Sequence, residues 1–371
     1  MRLEDYLKDK YVAGDVLVEY RGFGEIFDDT KAMYYSFKAG EKTYKVFAFI
    51  SVPKRKKPKN GFPAVILMHG GNGAAYYEFT KKWADRGFVA IAPDYNARCG
   101  ENLGARNIVN EQGGPAGYGF NGVDTNEPWM FFSVLSSMKA VDVLCGMNEV
   151  DKSKIYSVGL SWGGVLNFSL MSQDKRIAAG SIIYSAAYAF NGEYGKPILE
   201  NMPDEVRKNY FDNIEPTSYL DRITCPVLFT AGTQDQAFKM NNRQYTADKI
   251  SGKPYYALRE NFYHGNFYGF EQNESIEFFD ALRAKKAVPE PKVVAMKNGK
   301  IKVKSFGGNS ILKIVFTLED LDKAPFCKWK AVRIESGDKI EIPSSCTAFF
   351  VTEKLKNGTI WSSKVFLKDR R

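Results

Sequence analysis

The sequence predicts an α/β fold in which a mostly parallel central sheet is covered by helices, with a small all-β, sandwich-like region at the C-terminus. Two observations lead to this prediction. Apolar segments of strand length alternate with helical segments as far as residue 285, which is the pattern of βαβ units. The 371 residues are also enough for one large domain and an appendage.

The strands are predicted from two patterns. Alternation of apolar and polar residues is typical of a half-buried strand, and it occurs at 44–52 and more weakly at 15–20. Short apolar runs between turn residues are typical of strands buried on both faces. In chain order, the segments that we assign to such strands are 64–69, 88–93, 154–159, 178–184, 226–232 and 253–258.

Helices are predicted between these strands. In chain order they are 75–86, 127–144, 164–171 and 275–285. Gly87 ends the first of them, and Pro128 suits the first turn of the second. Two insertions, 96–126 and 187–220, interrupt the alternation. Loops of this length usually have a task, such as lining a site.

The charge balance changes near residue 287. Residues 286–371 hold 18 of the 52 basic residues but 9 of the 43 acidic ones, which leaves 34 of each sign in residues 1–285. Such a shift predicts a boundary between a larger domain at 1–287 and a small β-sandwich-like domain at 288–371. Apolar runs in the second domain predict strands at 311–316, 346–351 and 359–362.

The composition excludes several classes of protein. Aromatic residues make up 14% of the chain, too many for a disordered protein. No run of about 18 apolar residues is present, so no membrane-spanning helix is expected. The first residues lack the apolar core of a signal peptide, which predicts a cytoplasmic protein or one whose leader was removed. The lysine excess is dispersed, which favours a solvated surface over nucleic-acid binding.

The cysteines and histidines restrict the chemistry further. Five irregularly spaced cysteines predict reduced thiols, with a Cys327–Cys346 pair as the alternative in an oxidising compartment. Only two histidines are present, His69 and His264, so a multi-histidine metal site is excluded and no metal or cofactor is expected. Any imidazole base must be one of these two side chains.

A serine stands between two glycines where a predicted strand meets a predicted helix. The segment is Gly159-Leu160-Ser161-Trp162-Gly163, a Gly-x-Ser-x-Gly string. A very tight strand-to-helix turn forces the serine into a strained backbone conformation that exposes its Oγ, and the flanking positions must then be small. The context therefore indicates a nucleophilic serine rather than an ordinary turn serine.

A nucleophilic serine needs a base, and the base needs a carboxylate to hold it. Asp235 follows the strand at 226–232, and His264 follows the strand at 253–258. Because the carboxyl ends of parallel strands share one edge of a sheet, we expect both side chains to lie near Ser161.

Rival residues are less well placed. Asp212 and Asp221 are alternatives to Asp235, but neither follows a predicted strand. His69 directly follows the strand at 64–69 and is expected to brace the glycine turn after it by hydrogen bonding, rather than to act as the base.

An oxyanion requires two backbone N–H donors. Trp162, directly after the serine, is expected to supply one, and Gly71 or Asn72 in the glycine turn the other. Losing one such donor typically costs about 2.7–4 kcal/mol in the barrier.

Together these motifs resemble the α/β-hydrolase superfamily, and within it the dienelactone-hydrolase-like proteins, the acetyl xylan esterases and the catalytic domains of prolyl-oligopeptidase-type enzymes. The matching segments are His69-Gly70-Gly71-Asn72-Gly73, Gly159-Leu160-Ser161-Trp162-Gly163-Gly164, Gly232-Thr233-Gln234-Asp235 and His264. The resemblance covers roughly residues 40–285. It implies an α/β-hydrolase catalytic domain with Ser161 as nucleophile, Asp235 as acid and His264 as base. Asn72 stands where lipase-like relatives carry a third glycine, which leaves the second oxyanion donor open.

The residues predict a serine carboxylic-ester hydrolase that works through an acyl-enzyme. The resemblance implies a carbohydrate acetyl esterase of the acetyl xylan esterase type, and hence a small-molecule or acylated carbohydrate substrate. One alternative is a prolyl-oligopeptidase-like serine peptidase, although the stretch before residue 64 is short for such an enzyme. The other is a non-catalytic binding protein on a hydrolase fold, with the C-terminal region as a cover or a glycan-binding module.

Overall fold

The computed structural model describes residues 1–21, 29–71, 73–96, 128–189, 195–296, 299–322 and 327–368. The chain divides into two compact units, of which the first comprises Met1–Gly180 and Asn201–Cys225 and the second comprises Ser181–Glu200 and Pro226–Arg371. This division follows spatial contacts. The domain boundary predicted from charge at residues 287 and 288 stays a prediction.

Seventeen strands are found in the described residues. In chain order they are β1 (Leu17–Arg21), β2 (Thr30–Ala39), β3 (Lys42–Ser51), β4 (Phe62–Met68), β5 (Val89–Pro93), β6 (Val150–Leu160), β7 (Ile177–Ile183), β8 (Val227–Gln234), β9 (Pro254–Tyr263), β10 (Lys292–Ala295), β11 (Lys300–Lys304), β12 (Ile311–Thr317), β13 (Lys330–Ile334), β14 (Lys339–Glu341), β15 (Ala348–Lys354), β16 (Ile360–Ser362) and β17 (Phe366–Leu367).

Nine α-helices accompany the strands within the described ranges. They are α1 (Leu3–Lys10), α2 (Tyr77–Asp85), α3 (Trp129–Gly146), α4 (Trp162–Gln173), α5 (Gly195–Glu200), α6 (Asp204–Asn209), α7 (Met240–Lys249), α8 (Asn266–Glu271) and α9 (Glu274–Arg283). A π-helical turn at Tyr210–Ile214 and two short 3₁₀ turns follow α6.

The first unit contains a mixed sheet with the strand order β1-β2-β3-β5-β4-β6. Strand β4 is parallel to both β5 and β6, whereas β1, β2, β3 and β5 pair antiparallel in succession. All seven residues of β4 are buried, because a central parallel strand is covered on both faces. The glycine turn follows the carboxyl end of β4, and Ser161 follows the carboxyl end of β6.

Helix α3 is the one helix of the described residues with the length and apolar character needed to cross a membrane. It is buried within the protein along almost its whole length, from Trp129 to Leu144. Burial on all sides is what makes a core helix apolar all round, so its composition follows from packing.

In the second unit β8 and β9 are parallel, and the C-terminal strands continue from β9. Strand β16 pairs antiparallel with β9 at Ser362 and Tyr256, and β15, β12 and β13 follow in that order. A separate antiparallel sheet has the order β10-β11-β14. Ile301 and Val303 of this small sheet pack with Leu312 and Val351 of the larger one in a single apolar core. The expected sandwich-like β region is therefore present, and it is hydrogen-bonded to β9 through β16.

The predicted α/β fold class is confirmed, and every strand and helix predicted above has a counterpart, with ends displaced by a few residues. The elements that were not predicted individually from the sequence are β2, β10, β11, β13, β14, β17, α1, α7, α8 and the short helices within 187–220. Residues 97–127, which include most of the first predicted insertion, lie outside the described residues. Cys327 and Cys346, left open above as a possible disulfide, are both free thiols.

Candidate active site

Ser161 occupies the single-residue turn between β6 and α4. Its backbone has φ 54° and ψ −121°, a combination that a residue with a side chain adopts only under strain. Its carbonyl oxygen already accepts the first bonds of the helix, from Gly164 N at 2.8 Å and Val165 N at 3.3 Å. The side chain is therefore carried out of the strand at the point where the helix begins, as predicted for a nucleophile elbow.

The two glycines of the motif are required by close backbone contacts. A Cβ on Gly159 would lie 2.2 Å from Gly163 O, and a Cβ on Gly163 would lie 2.3 Å from Met68 O at the end of β4. No side chain fits at either position. The contact of Gly163 with β4 also places the elbow beside the glycine turn, where Gly70 faces Ser161: a Cβ there would be 3.2 Å from Ser161 Cβ and 3.8 Å from its Oγ.

His69 links the glycine turn to the segment after β5 through its two ring nitrogens. Tyr95 N–H donates to Nε2 at 3.0 Å, so Nε2 carries the lone pair and Nδ1 carries the proton. Nδ1 in turn donates to Gly70 O at 2.8 Å. Gly73 N donates to the same carbonyl at 3.1 Å, which closes the turn. The geometry supports the bracing role expected for this histidine.

Asp235 follows β8, its side chain is completely buried, and both carboxylate oxygens accept hydrogen bonds. Oδ1 accepts from the backbone N–H of Ala237 at 2.8 Å and of Phe238 at 3.2 Å, and from His264 Nδ1 at 2.9 Å. Oδ2 accepts from a guanidinium nitrogen of Arg243. The two backbone hydrogen bonds fix the carboxylate in its loop, while His264 and Arg243 bind different oxygens of it, Oδ1 and Oδ2 respectively.

His264 comes directly after β9 and is about one quarter exposed. Because an ionised carboxylate is an acceptor only, the bond to Asp235 places the imidazole proton on Nδ1 and the lone pair on Nε2. The ring packs against two aromatic rings, with its centroid 4.5 Å from that of Tyr184 and 6.1 Å from that of Phe238, and the Phe238 ring is nearly parallel to it at 16°. These contacts hold the imidazole plane and orient its basic nitrogen.

Arg243 is the residue of this group that sequence reasoning missed. It lies on α7 with its side chain 2% exposed, and it faces the Asp235 carboxylate. Burial by itself would raise the pKa of Asp235, but the charge of Arg243 and the hydrogen bond from His264 hold that pKa below its ordinary value. Burial lowers the pKa of Arg243 in turn. Asp235 is thus kept ionised in the interior.

The predicted site residues fall into two groups. Ser161, Trp162 and Gly71 belong to the first unit, where Trp162 is the first residue of α4 and Gly71 follows β4. Asp235 and His264 belong to the second unit and are hydrogen-bonded to each other. Asn72, the other oxyanion candidate, lies outside the described residues. No group of three or more metal-ligating side chains is found in the described part of the chain.

A strained strand–serine–helix turn on a mixed sheet with covering helices defines the α/β-hydrolase class. Within that class, the chain belongs to the dienelactone hydrolase family, whose model matches residues 48–292. The protein is therefore a hydrolase by family.

Three relatives illustrate the similarity. The chain is 23% identical over 208 residues to the acetyl esterase Axe7A of Xylanibacter ruminicola; the match covers 53% of this chain and 47% of the relative, so the chain spans about half the length of that protein. The acetyl xylan esterase from Paenibacillus sp. R4 superposes with a TM-score of 0.59 at 16% identity, over 75% of this chain and 92% of its own. Acetyl xylan esterase 1 from Thermoanaerobacterium sp. JW/SL YS485 superposes with a TM-score of 0.58 at 17% identity, over 75% of this chain and 91% of its own. At these identities the two structures support the fold alone.

Proposed function

We propose that the protein is a serine carboxylic-ester hydrolase that works through an acyl-enzyme, with Ser161 as nucleophile, His264 as general base and Asp235 as the carboxylate that holds the base. The observation that carries the proposal is the backbone of Ser161, strained at φ 54° in the turn from β6 to α4. Strain of this kind persists where a fold holds a reactive group in place. The ionised, fully hydrogen-bonded Asp235 beside His264 supports the second half of the assignment.

Acylation begins when Ser161 Oγ attacks the ester carbonyl carbon. The mechanism requires His264 Nε2 to reach Ser161 Oγ, since Nδ1 is committed to Asp235. The imidazole takes the Oγ proton as the new C–O bond forms, and the carbonyl π electrons move onto oxygen. His264 then returns the proton to the departing alcohol as its C–O bond breaks, which leaves the acyl group on Ser161. Asp235 stabilises the imidazolium between the two transfers.

Deacylation repeats the sequence with water in place of the serine. His264 takes a proton from the water as its oxygen bonds to the acyl carbon, and then protonates Ser161 Oγ as the acid leaves. The tetrahedral intermediates need backbone donors for the oxyanion. Trp162 N–H, at the start of α4, is one proposed donor, and the turn that includes Gly71 and Asn72 is the proposed source of the other. A helix N-terminus also favours developing negative charge.

We further propose an acylated, and in the first instance acetylated, carbohydrate as the substrate class. The support is the set of relatives, which are named as an acetyl esterase and as acetyl xylan esterases. No metal or cofactor takes part in the proposed chemistry.

The experiment compares Ser161→Ala with wild type in hydrolysis of p-nitrophenyl acetate. We expect kcat to fall on the order of 10⁴–10⁶-fold, as for loss of a catalytic nucleophile. Ser344→Ala, which alters an exposed serine between β14 and β15, is the matched control and is expected to keep full activity. If Ser161→Ala kept most of the activity, Ser161 would not be the nucleophile and the proposal would be wrong.

A panel of substrates tests the class of leaving group. The proposal expects acetylated xylo-oligosaccharides and short acyl esters to be cleaved faster than the corresponding anilides. Anilides cleaved as fast as esters would instead support the peptidase alternative. Absence of turnover with every ester, together with absence of fluorophosphonate labelling, would support a binding protein on a hydrolase fold.

A further inference from the structure

The small sheet β10-β11-β14 has one face in the apolar core and one face in solvent. Strand β11 shows the alternation most clearly, since Ile301 and Val303 are buried while the three lysines between and beside them point outward. Val293 of β10 and Ile340 of β14 pack on the same core. Residues directly opposite one another share a face, so the register defines the outer face.

Five of the seven residues on that outer face are lysines. They are Lys292 on β10, Lys300, Lys302 and Lys304 on β11, and Lys339 on β14, and together they form what we term the lysine face. Val294 and Glu341 complete it. Lys302 is partly exposed, and the other four lysines are exposed.

The register brings lysines into direct opposition. Lys292 lies opposite Lys304, and Lys302 lies opposite Lys339. Like charges at directly opposite positions of an antiparallel pair destabilise a sheet, since their Cβ atoms are about 4.5–5.5 Å apart. Other lysines of the second unit have carboxylate partners, as Lys253 has Glu290 and Lys313 has Glu260. In the part of the chain that the structure describes, no ion pair involves a lysine of the lysine face.

A charge arrangement that weakens its own sheet is expected where function requires it. A polyanion laid along the sheet would neutralise the opposed lysines and turn this repulsion into attraction. Alternate lysines of β11 are about 7 Å apart along the strand, from a rise of ~3.4 Å per residue, so the face offers a row of cations to a chain with repeated negative charges.

The chemistry of the face selects among polyanions. None of its residues is aromatic or an arginine, so it offers no ring for a base to stack on and no planar fork for phosphate or a base edge. Lysine ammonium groups act as point charges that bind carboxylates as well as they bind phosphates. Val294, 51% exposed, is too small an apolar element on the face to anchor the protein in a bilayer.

We propose that the lysine face is a docking surface for an acidic, carboxylate-bearing polysaccharide. The choice of a polysaccharide rests on the proposed function, because an esterase that acts on acylated carbohydrate gains from binding the chain that carries the ester. Docking at a second surface raises the effective concentration of ester groups at the catalytic site without new contacts there.

The experiment measures binding of the full chain to polygalacturonate at low salt, by isothermal titration calorimetry. We expect saturable binding that weakens steadily between 20 and 300 mM salt, on the order of tenfold or more, because salt screens exposed charges. The triple variant Lys300→Glu, Lys302→Glu and Lys304→Glu is expected to lose at least about tenfold in affinity. A control variant with the same change in net charge, at the exposed Lys38, Lys56 and Lys59, is expected to keep it.

The outcomes separate this proposal from the proposed function. Hydrolysis of p-nitrophenyl acetate by both triple variants is expected to match wild type, and it is measured independently of polysaccharide binding. If the glutamate variant is poorly folded, the glutamine version at the same three positions replaces it. Equal affinity of the two triple variants, or no binding by wild type at low salt, would overturn the proposal. Tighter binding to duplex DNA or to anionic vesicles than to polygalacturonate would overturn the choice of partner.

Discussion

The buried ion pair of Asp235 and Arg243 allows a quantitative prediction for Arg243→Met. The exposed fractions of the two side chains are 0% and 2%, so neither charge is solvated by water. Removal of one partner from a buried pair typically costs about 3–5 kcal/mol, because the other charge is left in the interior. Asp235 would keep its bonds from Ala237, Phe238 and His264. We therefore expect the lower end, a loss of about 3 kcal/mol in the free energy of unfolding at pH 7.5.

The effect has a defined dependence on pH. The folded state holds the pKa of Asp235 below its ordinary value, so this carboxylate stabilises the fold above its unfolded pKa of about 3.9, and the contribution is lost as the pH falls through the lower folded value. In Arg243→Met the cation is gone and burial raises the pKa of Asp235. The difference in stability between wild type and variant is therefore expected to shrink as the pH is lowered towards 4.

The assay is urea unfolding followed by tryptophan fluorescence, at pH 7.5 and at intervals down to pH 4.5. Arg243→Lys keeps a charge and is expected to recover part of the loss. The double variant Asp235→Asn with Arg243→Met removes both charges and is expected to be more stable than Arg243→Met alone. An Arg243→Met protein within about 0.5 kcal/mol of wild type, or a double variant less stable than the single one, would refute this reasoning.

Three further predictions concern the turn at Ser161 and the two histidines. Gly163→Ala places a Cβ 2.3 Å from Met68 O and is expected to lower the free energy of unfolding by about 3 kcal/mol or more. Gly146→Ala is the control, because a Cβ at Gly146 has nothing within 4 Å, and its free energy of unfolding is expected to stay within about 0.5 kcal/mol of wild type. Urea unfolding of both variants measures the difference. His264→Gln is expected to lower kcat for p-nitrophenyl acetate by about 10⁴-fold or more with little change in stability. His69→Gln is expected to show the opposite balance in the same two measurements, a larger loss of stability and a smaller loss of kcat, since His69 links the glycine turn to the segment after β5. A greater loss of kcat than in His264→Gln would exchange the roles of the two histidines.

The parts of the molecule that were predictable depend on local sequence. The Ser161 turn follows from small residues placed between a strand and a helix, since Gly159 and Gly163 approach other backbone atoms too closely for a side chain. Asp235 and His264 were placed by counting strand ends, which works because parallel strands end on one edge of a sheet. Their hydrogen bond at 2.9 Å shows that these two side chains meet, while their proximity to Ser161 stays a prediction.

Arg243 was not predictable, because its role comes from tertiary burial. It lies in a polar helix, Met240–Lys249, whose composition resembles an ordinary solvated helix, yet seven of its ten residues are buried. Nothing in a local pattern tells a buried arginine from an exposed one. Tyr184 is similar, since a strand-end tyrosine becomes informative only when its ring is found against His264.

The missed strand β2 had a signal that could have been used. Ala39 pairs with Lys42 across a two-residue turn whose first residue, Gly40, has φ 65°. A glycine between two strand-forming segments is a hairpin signal. Three of the C-terminal strands, β12, β15 and β16, were predicted. The continuation of these strands from β9 was not, because the pairing of β16 with β9 joins residues about 100 positions apart and leaves no mark on either segment.

Identification of the residue labelled by a fluorophosphonate tests the account most directly. After reaction of the folded protein, peptide mass spectrometry is expected to find one adduct, on the peptide that contains Ser161. Labelling is expected to disappear in Ser161→Ala and to slow by several orders of magnitude in His264→Gln, because an unactivated serine hydroxyl is a weak nucleophile. A folded protein that takes up no label, or that takes it up at another residue, would contradict the claim that Ser161 is an activated nucleophile.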